Sequence, residues 1–277
     1  MKLKWTLLTI SCILFVVAVI GIPAAVLTSV NQSTKKLPIY CVDTDKPQIA
    51  LSFDAAWGNE DTQEILDILE KHQVKVTFFM TGGWVESFPE DVKKIAEAGH
   101  DLGNHSANHK HMSELSAQEC KEELMSVHQR VKELTGVDMC LFRPPYGDYN
   151  DTLITTANEN GYHVIQWDVD SLDWKNYGVD SIVQTVTGHS HLGNGSIILM
   201  HNGADYTADA LDSVITTLQS QGYELVPISK LIYKQSYFMD HEGRQYIQQE
   251  SAQPEQSEEV QISAGPKESD EPEMDEE

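Results

Sequence analysis

Gln48-Ile49-Ala50-Leu51-Ser52-Phe53-Asp54 is an apolar run closed by a carboxylate. A short run of this kind suits a strand buried on both faces, and it places Asp54 at the strand's carboxyl end. The pattern recurs along the chain. Further strand candidates are Val76–Met80, Asp101–Gly103, Cys140–Phe142, His163–Trp167, Ile197–Met200 and Glu224–Val226. Amphipathic stretches alternate with them, at 62–71, 89–98, 117–134, 151–160, 180–189 and 208–220. In the longest, Leu124, Val127, Val131 and Leu134 fall near one helical face, with Leu115 just ahead of it. Gly99, Gly136 and Gly222 stand where helices stop, a usual place for glycine.

Strand–helix units repeated in this way predict an α/β fold. About seven parallel strands would be covered by helices, as an open doubly wound sheet or as a distorted (β/α) barrel. In both architectures functional residues gather at the carboxyl ends of strands. Asp54, His105, Arg143 and His201 all stand at such ends.

The flanks read differently. Lys2 and Lys4 precede Trp5–Val30, which carries no charge over 26 residues. That length spans a hydrocarbon core of about 30 Å. The expectation is a transmembrane anchor over 1–30 with its basic end inside, so that the rest lies outside the cytoplasm in a single-pass membrane protein. Cleavage as a signal peptide, giving a secreted protein, is the alternative. Residues 31–47 read as a linker, 48–233 as the folded α/β domain, and 234–277 as an extension where the pattern fades. From Glu250 to Glu277 there are 11 acids against one lysine, which predicts a solvated, disordered acidic tail.

The 277 residues carry a formal net charge of −24, which excludes nucleic acid as an expected partner because phosphate binding needs clustered Lys and Arg. No Gly-rich phosphate loop is present. The four cysteines, Cys12, Cys41, Cys120 and Cys140, lack zinc-finger spacing; an extracellular domain would allow one disulfide with an odd thiol left over, and no pair is assigned. A monomer is expected.

Five segments could carry chemistry. His105-Ser106-Ala107-Asn108-His109 sets two imidazoles four residues apart, so that they can share a metal if the segment is helical or tightly turned. Surface or core histidines would give the same pattern. Asp54 could be a base, a ligand or a helix cap. Arg143-Pro144-Pro145-Tyr146-Gly147 is a rigid loop able to aim a backbone N–H at an oxyanion, with an arginine able to grip a carboxylate, or else a plain turn. Asp170-Ser171-Leu172-Asp173-Trp174 offers two acids that could orient a histidine and an indole that could line a sugar-sized groove; the bland reading puts Trp174 in the core. Leu199-Met200-His201 places a histidine as a general acid, or as a satisfied core residue.

Taken together and in this order, the segments resemble the polysaccharide deacetylases with a NodB-type domain, carbohydrate esterase family 4, over about Gln48–Leu231. The resemblance implies a distorted (β/α) barrel and a divalent metal, usually zinc. It implies metal ligation by His105 and His109, Asp54 as base, the Tyr146 N–H at the oxyanion, and His201 as acid oriented by Asp173. Arg143 would brace Asp54, and Trp174, Pro144, Tyr146 and Leu199 would meet the substrate. The reaction implied is removal of N-acetyl groups from cell-wall glycan, peptidoglycan or chitin-like.

The first motif departs from the family. Two adjacent acids are usual, and here the second is Ala55 in Asp54-Ala55-Ala56-Trp57-Gly58, which resembles the sporulation-associated branch. Asp61 is the nearest replacement ligand in sequence, with a helix N-cap role as its alternative. A non-catalytic or weakly active wall-glycan-binding protein is the competing expectation.

Overall fold

A computed structural model describes residues 35–248. The predicted anchor and acidic tail lie outside the described residues, within which no helix is long and apolar enough to cross a membrane.

The strands are β1 (Cys41–Val42), β2 (Gln48–Ala55), β3 (Thr77–Met80), β4 (Asp101–Asn104), β5 (Leu141–Phe142), β6 (His163–Val164), β7 (Val169–Asp170), β8 (Ile197–Asn202), β9 (Glu224–Leu225), β10 (Tyr237–Met239) and β11 (Arg244–Ile247). The helices are α1 (Thr62–Lys71), α2 (Gly82–Ser87), α3 (Pro89–Glu97), α4 (Ala117–Thr135), α5 (Asp151–Glu159), α6 (Val179–Thr187), α7 (Thr207–Ser220) and α8 (Ile228–Leu231).

The main sheet is parallel and runs β6-β5-β4-β3-β2-β8-β7, with β9 added beside the start of β2. The strands β6 and β7 stand at opposite ends of this path, yet only residues 165–168 join them. Such a link reaches at most about 18 Å, whereas seven flat strands would be about 29 Å across. The sheet must therefore curl into an incomplete barrel. Ile39 sits at the gap: its N–H donates to Val164 O, and its carbonyl accepts from Gln166 N, both at 2.8 Å. Part of the stretch read as a linker is thus built into the barrel, with Ile39 and Val42 buried.

The run His163–Trp167 suggests one strand from sequence, but only His163–Val164 is strand. The structure divides that region, because the chain must leave one edge of the sheet and re-enter at the other. The hairpin β10–β11 was also not anticipated; it pairs with β1 to form a small second sheet.

Both faces of the main sheet are covered. Ile49, Leu51, Phe53 and Ala55 of β2 pack with Ile198 and Met200 of β8 toward the helices. The opposite face holds Ala50, Phe79, Leu141, Ile165 and Ile197 inside the barrel. Period-two alternation on strands buried on both sides explains the unbroken apolar runs. It also gives Asp54 and Ala55 opposite faces. Among the helices, α4 begins at a Ser116/Glu119 capping box and ends at Gly136 in the left-handed region (φ 75°).

Candidate active site

One cavity of about 570 Å³ opens at the carboxyl ends of the strands. Asp54, His105, His109, Pro144, Tyr146, Trp174, Leu199 and His201 line it. Arg143 and Asp173 are fully buried behind it. Every site residue picked from the sequence is therefore brought to one place.

The ladders explain the convergence. The register pairs Asp54 of β2 with His201 of β8 and with Phe79 of β3. Asn104 pairs with Phe142, so His105 and Arg143 leave adjacent strands together. Arg143 Nη1 donates to Asp54 Oδ1 at 2.7 Å, and Nη2 donates to Ser52 Oγ at 2.8 Å. The guanidinium carbon lies 4.2 Å from the centroid of the Phe79 ring. A Cβ on Gly103 would run into that same ring, so glycine there makes room for the stack. Burial works against ionised Asp54, but Arg143, His105 and His201 outweigh it and hold the carboxyl below its ordinary range.

The two-histidine segment is a turned loop, with Ser106 and His109 in the left-handed region (φ 66° and 51°). Asn104 Oδ1 accepts from Ser106 N at 2.9 Å, and Ser106 Oγ accepts from His109 N at 3.0 Å. Buried Glu123 of α4 accepts from Asn108 N and Nδ2, both at 2.8 Å. These bonds bring the two imidazole centroids to 4.9 Å. His105 Nδ1 lies 2.7 Å from Arg143 O. A carbonyl only accepts, so Nδ1 carries the proton and Nε2 keeps its lone pair, 3.5 Å from Asp54 Oδ2. Burial pushes the His105 imidazole down to about 4 and lowers His109 as well, so both are neutral at pH 7.

A neutral imidazole with its far nitrogen pinned to a carbonyl is how metal-binding histidines are oriented. In chemistry, His105 and His109 fit a divalent ion of the zinc type; in number they fall one ligand short. Among the described residues no group of three or more His, Cys, Asp or Glu side chains could hold a metal. Ala55 is fully buried among the helix-facing residues. Asp61 does not replace it. Its carboxylate accepts from Gly203 N at 2.9 and 3.0 Å and from Asn202 Nδ2 at 2.9 Å, which ties the start of α1 to the end of β8. Asp61 stands at the N-cap position of α1 without a side-chain capping bond.

On the other side, Asp173 Oδ1 lies 2.7 Å from His201 Nδ1, while Oδ2 accepts from His201 N and Thr207 Oγ1, each at 2.7 Å. Burial disfavours the imidazolium, but Asp173 outweighs it and raises His201 above its ordinary range. Of the two acids in this segment, Asp173 alone orients the histidine; Asp170 Oδ1 accepts from Leu172 N at 2.9 Å. Tyr146 sits at φ 60° in the Pro145–Gly147 turn, its ring packed against His109 and His111 with centroids at 4.5 and 4.3 Å. Trp174 is half exposed rather than in the core.

The sequence reading did not select Trp57 as a site residue. Its ring centroid lies 5.3 Å from that of His201, and it lines the cavity. Its place inside the altered first motif, Asp54-Ala55-Ala56-Trp57-Gly58, is the available signal.

The structure is an incomplete (β/α) barrel with one site at the carboxyl ends of its strands, and comparison with known proteins gives its family. Residues 42–165 match the polysaccharide deacetylase family. The chain is 35% identical over 191 residues to a peptidoglycan-N-acetylglucosamine deacetylase of Bacillus cereus, covering 68% of this chain and 69% of that one. It is 39% identical over 201 residues to the uncharacterized protein YlxY of Bacillus subtilis, covering 73% of this chain but 62% of that relative's length. Among solved structures, BA3943 of Bacillus anthracis, described as a CE4 family pseudoenzyme, matches with a TM-score of 0.68 at 36% identity, over 72% of this chain and 69% of that one. A BA3943 mutant described as having restored enzymatic activity matches with the same TM-score. The chain belongs to the polysaccharide deacetylase family, carbohydrate esterase family 4.

Proposed function

We propose that the protein is an N-deacetylase of cell-wall polysaccharide, with peptidoglycan as the substrate class. The observation that carries this reading is the pairing of an Arg143-braced Asp54 with an Asp173-braced His201 at register-matched positions of adjacent strands. The Arg143 guanidinium favours the carboxylate form of Asp54, and the Asp173 carboxylate favours the protonated form of His201, the directions a base and an acid need.

In the proposed reaction Asp54 takes a proton from the water that attacks the acetamide carbonyl. The Tyr146 backbone N–H donates to the oxygen on which charge develops. His201 delivers its proton to the nitrogen as the C–N bond breaks, leaving acetate and a free amine on the sugar. His105 and His109 would hold a divalent ion, with zinc the expected one, which supplies Lewis acidity to the carbonyl. Membrane attachment through residues 1–30 would set the domain beside the wall, and a monomer suffices because the described chain supplies every named group. Acetate release from N-acetylated wall glycan, with and without added divalent ion, tests the reading.

A second reading is favoured by Ala55. With one metal ligand fewer than usual, the protein would bind wall glycan with little or no turnover. Glycan binding without acetate release, at any metal concentration, would select it.

A further inference from the structure

Asn104 ends β4 with its side chain fully buried. Leu102 stands two positions earlier on the same face of that strand and is an ordinary core residue. A buried amide is costly unless its polar atoms find partners, so packing alone does not explain asparagine here. Its partners do. Oδ1 accepts from Ser106 N at 2.9 Å, and Nδ2 donates to Leu124 O of α4 at 2.8 Å and to Tyr162 OH at 3.0 Å. A backbone N–H only donates and a backbone carbonyl only accepts, so the amide has one orientation. The Asn104 backbone carbonyl also accepts from Arg143 N at 2.9 Å. One residue ties the two-histidine loop, the arginine loop, α4 and the approach to β6 together.

The bonds continue outward in one direction. Tyr162 OH accepts from Asn104, so its own proton goes to His128 Nδ1 at 2.8 Å. Burial pushes the Tyr162 phenol up to about 12, so it keeps that proton at pH 7. His128 Nε2 is then the protonated nitrogen and donates to Asp138 Oδ1 at 3.2 Å, an oxygen that also accepts from Lys132 Nζ at 2.6 Å. The Asn104 amide is thus the inner end of an ordered chain that finishes at a surface ion pair.

A second hold comes from the same helix. Glu123, the neighbour of Leu124 on α4, accepts from Asn108 N and Nδ2 and pairs with Lys110 Nζ at 2.9 Å. The loop is gripped at Ser106 and again at Asn108. Ser106 and His109 lie in the left-handed region, a conformation that persists at non-glycine residues only where the surroundings fix it. Ligands already in place lose little conformational entropy when an ion binds. Ala55 supplies no carboxylate, so retention of an ion by His105 and His109 depends the more on that presetting.

We propose that Asn104 is a positioning residue: through Ser106, Leu124 and Tyr162 it presets the spacing of His105 and His109, so that two imidazoles retain a divalent ion without a third protein ligand. This rests on the metal-ligand reading of the two histidines.

The test combines calorimetric titration of the full chain with zinc and amide hydrogen exchange over residues 105–109 of the metal-free chain. Asn104→Leu should weaken zinc about tenfold or more and speed exchange at Ser106 and His109. Tyr162→Phe removes one hydroxyl and leaves the bonds of Asn104 to Leu124 and Ser106; it should move both readouts the same way by less, and it decides the matter should Asn104→Leu not fold. Val131→Ala, an apolar truncation in the buried face of the same helix, should lose stability and leave both readouts where they are. Zinc affinity or exchange unchanged in Asn104→Leu and Tyr162→Phe, or moved equally by Val131→Ala, overturns this assignment while leaving the metal reading standing. A wild-type chain that binds no zinc overturns both.

Discussion

Asp173 grips His201 twice, through the imidazole Nδ1 at 2.7 Å and through the backbone N–H at 2.7 Å. The double contact fixes the ring's tautomer and its rotation, and it leaves Nε2 as the atom available to the cavity. Asp173→Asn keeps the shape and removes the charge. The expected result is a loss of kcat of about a hundredfold or more. The pH profile should also move. His201 is raised above its ordinary value in the folded protein, so the acid form is present below that raised pKa and is lost as pH rises through it. Without the Asp173 charge the alkaline limb should shift to lower pH. The same linkage gives stability that is complete below the ordinary imidazole range and fades as pH rises through the folded value. Rate profiles of the two proteins check the shift.

Arg143 is buried with no exposure and spends Nη1 on Asp54. Arg143→Met leaves that carboxylate buried and uncompensated, at a cost of about 3–5 kcal/mol. The double variant Arg143→Met/Asp54→Asn should recover part of the loss, because no charge is left to strand. Denaturant midpoints of the wild type, both single variants and the double variant close this cycle.

Gly103→Ala should be damaging although the change is one methyl group. The new Cβ meets the Phe79 ring, and that ring supports the Arg143 guanidinium. Overpacking of this kind costs about 1–3 kcal/mol. Activity should fall with stability because Asp54 loses its brace. Gly83→Ala is the control: nothing lies within 4 Å of its added Cβ, and neither quantity should change appreciably.

The histidine pair and Asp54 should separate in metal binding. If the proposed ligation by His105 and His109 holds, His105→Ala should abolish retention of added zinc, as should His109→Ala. Asp54→Asn should retain the ion and lose turnover. Metal content after dialysis, read beside acetate release, distinguishes these outcomes.

Much of this architecture is legible in the amino-acid order, for identifiable reasons. Strands buried on both faces produce continuous apolar runs, so Ile49–Phe53 and Ile197–Met200 stand out and point to Asp54 and His201. The amphipathic stretch 62–71 matches α1. Other features depend on tertiary contacts that local pattern does not encode. The break between β6 and β7 follows from the curl of the sheet and from Ile39 crossing the gap. The hairpin β10–β11 lies on the rim, where Phe238 and Ile247 are exposed and no clean alternation survives. Asp61 sits near the altered motif in sequence, but its carboxylate is committed to Gly203 and Asn202. Trp57 stands in the altered first motif, but its approach to His201 follows from β8 running beside β2.

The most direct test of the central claim is acetate release from N-acetylated peptidoglycan by the full chain, stripped with chelator and then titrated with zinc. Release should fall on chelation, return with zinc, be lost in Asp54→Asn and be sharply reduced in Asp173→Asn. Glycan binding with no acetate at any zinc concentration, or release unchanged in Asp54→Asn, would contradict it.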